Sequence, residues 1–209
     1  MSTPASRERE RFADELLIIG PDADTLCEGW TTRDLAAHVI VRDRRPDAAA
    51  GVVVSALSGY TEKVQNGVAA KDWDRIVEQV RQAPVWSPTR IDRVDRLINT
   101  TEFFVHLEDV RRAQPGWEPR DLEPELVDDL ASALGRVAKP FTRRSPVGIT
   151  LVPDDGETIV AKRAEPMVTV SGPIPELVLF VFGRQDHARV ELTGSADAAE
   201  QARTASFGI

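Results

Sequence analysis

A single cysteine, Cys27, stands in a chain of 209 residues, so no intramolecular disulfide and no cysteine-based zinc cluster can form. Any thiol chemistry here draws its thiol from a small molecule. Cys27, beside Leu26 and just ahead of a helix start, reads as a small packing residue. No apolar run reaches the length of about eighteen residues that a membrane-spanning helix needs. The stretch from Met1 to Arg11 is polar and charged rather than a basic segment followed by an apolar one, so a cytoplasmic protein is expected. Positive charge is also short: 26 Lys and Arg stand against 34 Asp and Glu, a net charge of −8. The two signs are interspersed, which argues against nucleic-acid or anionic-membrane partners, and Arg42, Arg44 and Arg45 read as solvated helix surface. Histidine is scarce too, with three: His38, His106 and His187.

What is present suffices for a sizeable core, because 42% of the residues are hydrophobic and the length fits one large domain or two small ones. Phe12, Leu16 and Ile19, with Glu8, Glu10, Asp14 and Glu15 opposite, predict a first amphipathic helix over 7–19, stopped by Gly20-Pro21. Thr31 and Asp34 form a Thr-x-x-Asp box that starts a second helix, with Trp30 as a hydrophobic staple. Pro46 kinks or restarts that helix, and Asp47 to Leu57 reads as helical. A third helical region covers Tyr60 to Ala70 and Trp73 to Arg81. Pro84 and Pro88, flanking Trp86, make a rigid connection into a long fourth helix, Ile91 to Arg112. Four helices with short connections suggest an antiparallel bundle, a setting in which facing helices build metal sites.

After Gln114-Pro115-Gly116 the composition shifts. Leu126, Leu130, Leu134 and Val137 mark one more helix, over 122–142. Short β-like runs follow at 148–152, 158–161 and 167–170, the first two joined by the turn Pro153-Asp154-Asp155-Gly156. A helix over 175–182, a strand over 188–192 and a final helix from Asp197 to Arg203 complete a small α+β unit. The expected organisation is a helical bundle over 1–114, a connecting helix over 115–145 packing on it, and a C-terminal unit over 146–209.

The chemistry centres on the fourth helix. Ile91, Val94 and Ile98 define an apolar stripe whose continuation meets Glu102, Val105 and His106. Glu102 and His106 are neighbours at i, i+4, so they either satisfy each other in the core or converge on a cation. His38, three residues after Leu35 on the inward face of the second helix, is the candidate third ligand. Two imidazoles and one carboxylate suit zinc or a similar divalent ion, and three protein ligands leave one position open for water or substrate. Arg42, four residues after His38, faces either this site or a substrate carboxylate. Asp34 and Asp109 lie within reach of an outer shell, but Asp34 already caps a helix and Asp109 can pair with Arg111 or Arg112. His187 sits in a turn with no partner at ligand spacing.

The segments Gly29-Trp30-Thr31-Thr32-Arg33-Asp34-Leu35-Ala36-Ala37-His38, Glu102-Phe103-Phe104-Val105-His106 and Val170-Ser171-Gly172-Pro173, with Glu176-Leu177 and Gly183-Arg184, resemble the actinobacterial mycothiol-dependent maleylpyruvate isomerase family over nearly the whole chain. The resemblance implies an α+β chain: an N-terminal DinB/YfiT-like four-helix metal-binding bundle followed by a small α/β, sterol-carrier-like (SCP2-like) domain. By it, His38, Glu102 and His106 match the metal ligands, the carboxylate favouring the isomerase branch over relatives that use three histidines. Arg184 matches an arginine that serves the thiol cofactor or the substrate. Arg42-Asp43-Arg44-Arg45-Pro46 and the stretch from His106 to Arg112 look like a separate branch, so maleylpyruvate is not carried over as the substrate.

The resemblance implies a metal-dependent enzyme of the isomerase or thiol-transferase type, in which a divalent ion, zinc by its donor set, activates mycothiol or a similar thiol toward an electrophilic small molecule. Arg184 and Arg42 would neutralise carboxylates on either partner. The alternative is a non-catalytic, metal-stabilised module that binds a small ligand. Oligomeric state is not readable from the sequence.

Overall fold

The computed structural model describes residues 2–45, 58–84 and 92–208. The expected helix from Asp47 to Leu57, the Pro46 kink and the Trp86-Pro88 connection lie outside them, as do the side chains of Ile91, Val94 and Ile98. The chain divides into two compact units, Met1–Asp121 and Leu122–Ile209.

The first unit is helical, with α1 Pro4–Ile19, α2 Thr32–Arg44, α3 Ser58–Ala69, α4 Trp73–Arg81 and α5 Asp92–Arg111. Local signals fix the helix ends. The Thr3 side chain caps α1 by accepting from the Ser6 N–H, and Pro4 opens its first turn. Helix α2 begins with the expected capping box, the Thr31 and Asp34 side chains each accepting from the other's backbone N–H. The third helical region is two helices because Asp72 caps a new one, accepting from Arg75 N–H at 3.3 Å. Helix α1 packs on α5 and α4, and α2 packs on α3 and α4. Phe12, Leu16, Leu35, Val39, Ile76, Val80, Phe103 and Leu107 form the core between them.

Glu8 departs from the amphipathic reading of α1: it is fully buried rather than on the solvent face. Arg120 receives it in a two-pronged pair, Nη2 to Oε2 at 2.7 Å and Nη1 to Oε1 at 3.1 Å. Arg120 also donates from Nε to Glu108 at 2.6 Å, and Arg112 donates to the other Glu108 oxygen at 2.6 Å. The buried Arg9 pairs with Asp43 at 2.6 Å and lies over the Phe103 ring. Burial of these charges is tolerable only because each meets an opposite one at hydrogen-bond distance.

The second unit holds α6 Pro124–Thr142, β1 Gly148–Pro153, β2 Ile159–Lys162, β3 Met167–Gly172, α7 Ile174–Val181, a 3₁₀ turn Gln185–His187, β4 Glu191–Thr193 and α8 Ala196–Thr204. The sheet order is β2-β1-β3-β4. Strands β1 and β3 run parallel from Gly148 opposite Met167 to Pro153 opposite Gly172, and β2 and β4 flank them antiparallel. Nearly every side chain of α7 is buried, and α6 packs on α7 and β2. Leu126, Leu130, Leu134, Ile149, Leu151, Val168, Leu177 and Phe180 supply its buried apolar side chains. Among the described residues no helix is long and apolar enough to cross a membrane.

Candidate metal centre

Helical spacing places two polar stripes on the first unit. On α5, Asn99, Glu102, His106 and Asp109 follow one another at intervals of three, four and three residues, which keeps them on one face. On α2, His38 and Arg42 are one turn apart. The stripes meet: Glu102 Oε1 lies 3.1 Å from His106 Nε2 and 3.8 Å from His38 Nε2. Arg42 spans the gap above them, with Nε 3.1 Å from the same Glu102 oxygen and Nη1 donating to Asn99 Oδ1 at 2.9 Å.

His38, Glu102 and His106 each bring one ligand atom, all within 4.8 Å of one another. A tetrahedral site with bonds of about 2.1 Å separates its ligand atoms by about 3.4 Å, between the two contacts just given. The donor set fits a borderline divalent cation. The three side chains are 12–22% exposed, so the cluster is lined by protein yet still reached by solvent.

Burial pushes the Glu102 carboxyl upward, but the charge and hydrogen bond of His106, the hydrogen bond of His38 and the charge of Arg42 outweigh it and hold it well below the ordinary range. Burial likewise pushes the His106 imidazolium down. The Glu102 charge and bonds to Asp109, Cys27 and Glu102 overcome that and hold it well above an ordinary histidine. Without a cation, His106 is thus an imidazolium between two carboxylates.

The second carboxylate is Asp109. It is fully buried and accepts from His106 Nδ1 at 2.9 Å and from the Cys27 thiol at 3.3 Å. The Leu26 N–H also donates to the Asp109 backbone carbonyl at 3.0 Å. The loop between α1 and α2 is thereby tied to α5, and it carries Trp30, whose ring centroid lies 5.2 Å from that of His38. Cys27, His106 and Asp109 form a second group whose ligand atoms also lie within 4.8 Å of one another. The first group fits a cation better, because Asp109 already accepts two hydrogen bonds and holds the Nδ1 proton that leaves Nε2 to coordinate.

The structure thus brings His38, Glu102, His106 and Arg42 together. Asp109, weighed from the sequence both as an outer-shell acceptor and as a partner of Arg111 or Arg112, faces the His106 ring; Asn99 and Cys27 join them without having been singled out as parts of the site, and the signal for Asn99 was its spacing from Glu102. Asp34 remains a capping residue, with Thr31 N–H donating to it at 3.0 Å. Arg184 belongs to the second unit, where its Nη1 donates to the Phe182 carbonyl and its backbone N–H to Leu179 O, closing the end of α7. His187 ends the 3₁₀ turn, half-buried.

The chain is thus a mixed α+β protein whose helical unit brings two histidines and a glutamate together. Compared by sequence, the chain matches no family model and no curated protein. By structure it matches the crystal structures of the mycothiol-dependent maleylpyruvate isomerase and of a histidine-to-alanine mutant of that enzyme. Each match has a TM-score of 0.64 at 16% identity and covers 92% of this chain and 96% of the other. The chain has the fold of that isomerase.

Proposed function

We propose that the chain is a metal-dependent enzyme of the mycothiol-dependent isomerase or thiol-transferase type, acting on an electrophilic small molecule. The observation that carries this reading is the convergence of His38 Nε2, Glu102 Oε1 and His106 Nε2 in a half-buried cluster. The fold match to an isomerase that uses mycothiol supports the choice of thiol. A divalent cation held there, zinc by its donor set, would supply the acidity that makes a small thiol a thiolate at neutral pH.

The chain's own residues do the rest. Asp109 fixes the His106 ring with Nε2 toward the site. Arg42 holds Glu102 in place and presents a guanidinium to a carboxylate on the thiol or the substrate. Trp30 walls the His38 side and limits water. Arg184, from the second unit, is the other candidate for carboxylate recognition.

The test is metal content by elemental analysis of tag-free wild type and His106→Ala, followed by thiol consumption with a panel of electrophiles. Near-stoichiometric metal in the wild type alone, and metal-dependent consumption of mycothiol, are expected. Unchanged consumption after chelation would remove the mechanism. Metal without any response to thiol would favour the non-catalytic binding module.

A further inference from the structure

The second unit carries a feature that the metal centre does not use. Between α6 and β2 runs an open groove of about 650 Å³, lined by Gly135 and Lys139 on the helix, by Arg143 at its C-cap, and by residues 158–163, which include all of β2. All four residues of β2 line it, of both parities. Alternate side chains point to opposite faces of a sheet, so what borders the groove is the edge of β2. That edge is open, because β2 ends the sheet and pairs only with β1 among the described residues.

The helix wall is a single ridge at i, i+4 and i+8. Gly135 leaves one end open, since a Cβ added there would meet nothing within 4 Å. Lys139, Arg143 and Arg163 are exposed, and no carboxylate lines the groove. Lys162 is engaged differently, its amine donating to the carbonyls of Arg143 and Ser145 at 2.7 Å each.

Cations beside an edge strand have an ordinary use, which is to repel a second strand edge of the same kind. That use accounts for Arg163. It does not account for Lys139 and Arg143, which come from another element and line the opposite wall. In a chain of net charge −8, a groove that joins unpaired main-chain groups to cations on both walls suits an anionic strand.

We propose that this groove is a docking site for an extended acidic segment of a partner protein. The segment adds a strand to the β2 edge by main-chain hydrogen bonds, and its carboxylates meet Lys139, Arg143 and Arg163. Strand addition gives the affinity and the cations select the acidic sequence.

The probe is a fluorescein-labelled peptide of alternating Glu and Val, followed by anisotropy against the full chain. A second peptide of equal length and charge repeats Glu-Glu-Pro-Pro, so that whichever side it turns to the strand edge every second residue lacks a donor. The expected result is binding of the first peptide that weakens with salt and is lost by about tenfold or more both for the proline peptide and in Lys139→Glu/Arg143→Glu. Both substituted side chains are exposed, and an unchanged thermal melt confirms that the variant folds. No binding of the Glu-Val peptide overturns the proposal. Equal binding of both peptides, or full displacement by inorganic phosphate or polyphosphate at matched charge, also overturns it by making the groove a general anion site.

Discussion

The carboxylate of Asp109, buried at the base of α5, holds the Nδ1 proton of His106 at 2.9 Å. The contact fixes which ring nitrogen faces the cluster and raises its basicity. Asp109→Asn keeps the shape and removes the charge, and an amide turned with its nitrogen toward Nδ1 favours the wrong tautomer. Metal affinity is expected to fall about 10–100-fold with the helical circular dichroism unchanged. Competition against a chromogenic chelator measures it, and an unaltered affinity would reduce Asp109 to a packing contact of the Cys27 loop.

Metal uptake should release protons. The ordinary histidine value is 6.5 and His106 is held well above it, so at neutral pH the cation-free ring is doubly protonated and an arriving cation displaces the Nε2 proton. Affinity therefore rises with pH. Calorimetric titration of zinc into the metal-free protein, in two buffers of different ionisation enthalpy, is expected to show about one proton released per ion. The folding sign is opposite to that of a carboxylate. A raised imidazolium value stabilises the cation-free fold fully below the ordinary histidine value and less as pH climbs through the raised one.

Much of this site follows from helical spacing. His38, Glu102 and His106 are recoverable because each sits at a core-facing position of an amphipathic pattern, where an ionisable residue stands out. The contact of Cys27 with Asp109 is different: 82 residues separate them, and a loop closing on a helix leaves no local period. Glu8 was read as solvated for the same reason, since its partner Arg120 is 112 residues away. In the second unit each strand shows its own apolar run or turn signal, but the parallel pairing of β1 with β3 depends on how α6 and α7 cover the sheet. Arg184 was found by its Gly-Arg context, and its contacts here are those of a helix end.

Acid should find the Glu108 cluster. Burial pushes the Glu108 carboxyl up, but the Arg120 charge and the bond and charge of Arg112 outweigh it, and the group stays below its ordinary value of 4.5. A depressed carboxyl contributes stability in full above the ordinary value and loses it as pH falls through the depressed one. Glu108→Gln leaves Arg112 and Arg120 short of a partner and is expected to cost about 3–5 kcal/mol at pH 7. Urea unfolding at neutral and acid pH measures the deficit. The deficit should shrink in acid, where the wild type itself protonates, and one equal at both pH values would show that charge is not what the pair contributes.

Gly148, at the start of β1, has no room for a side chain. A Cβ built there would strike the Ala164 carbonyl oxygen and lie 2.7 Å from Met167 Sδ. The thioether can turn aside, but a backbone oxygen cannot. The Gly148 N–H also donates to Pro166 O at 2.9 Å, and Gly148 pairs with Met167 where β1 and β3 begin. Gly148→Ala must either break this first pair or shift the segment 164–167, at an expected cost of about 1–3 kcal/mol. Gly135→Ala on α6 is the control within the same unit, because its Cβ meets nothing within 4 Å and an alanine in a helix gains about 0.5–1 kcal/mol over glycine. Thermal melts of the two variants should move in opposite directions. A Gly148→Ala melt no lower than the wild type would show that the 164–167 segment yields freely, and that the parallel pair does not depend on this close approach.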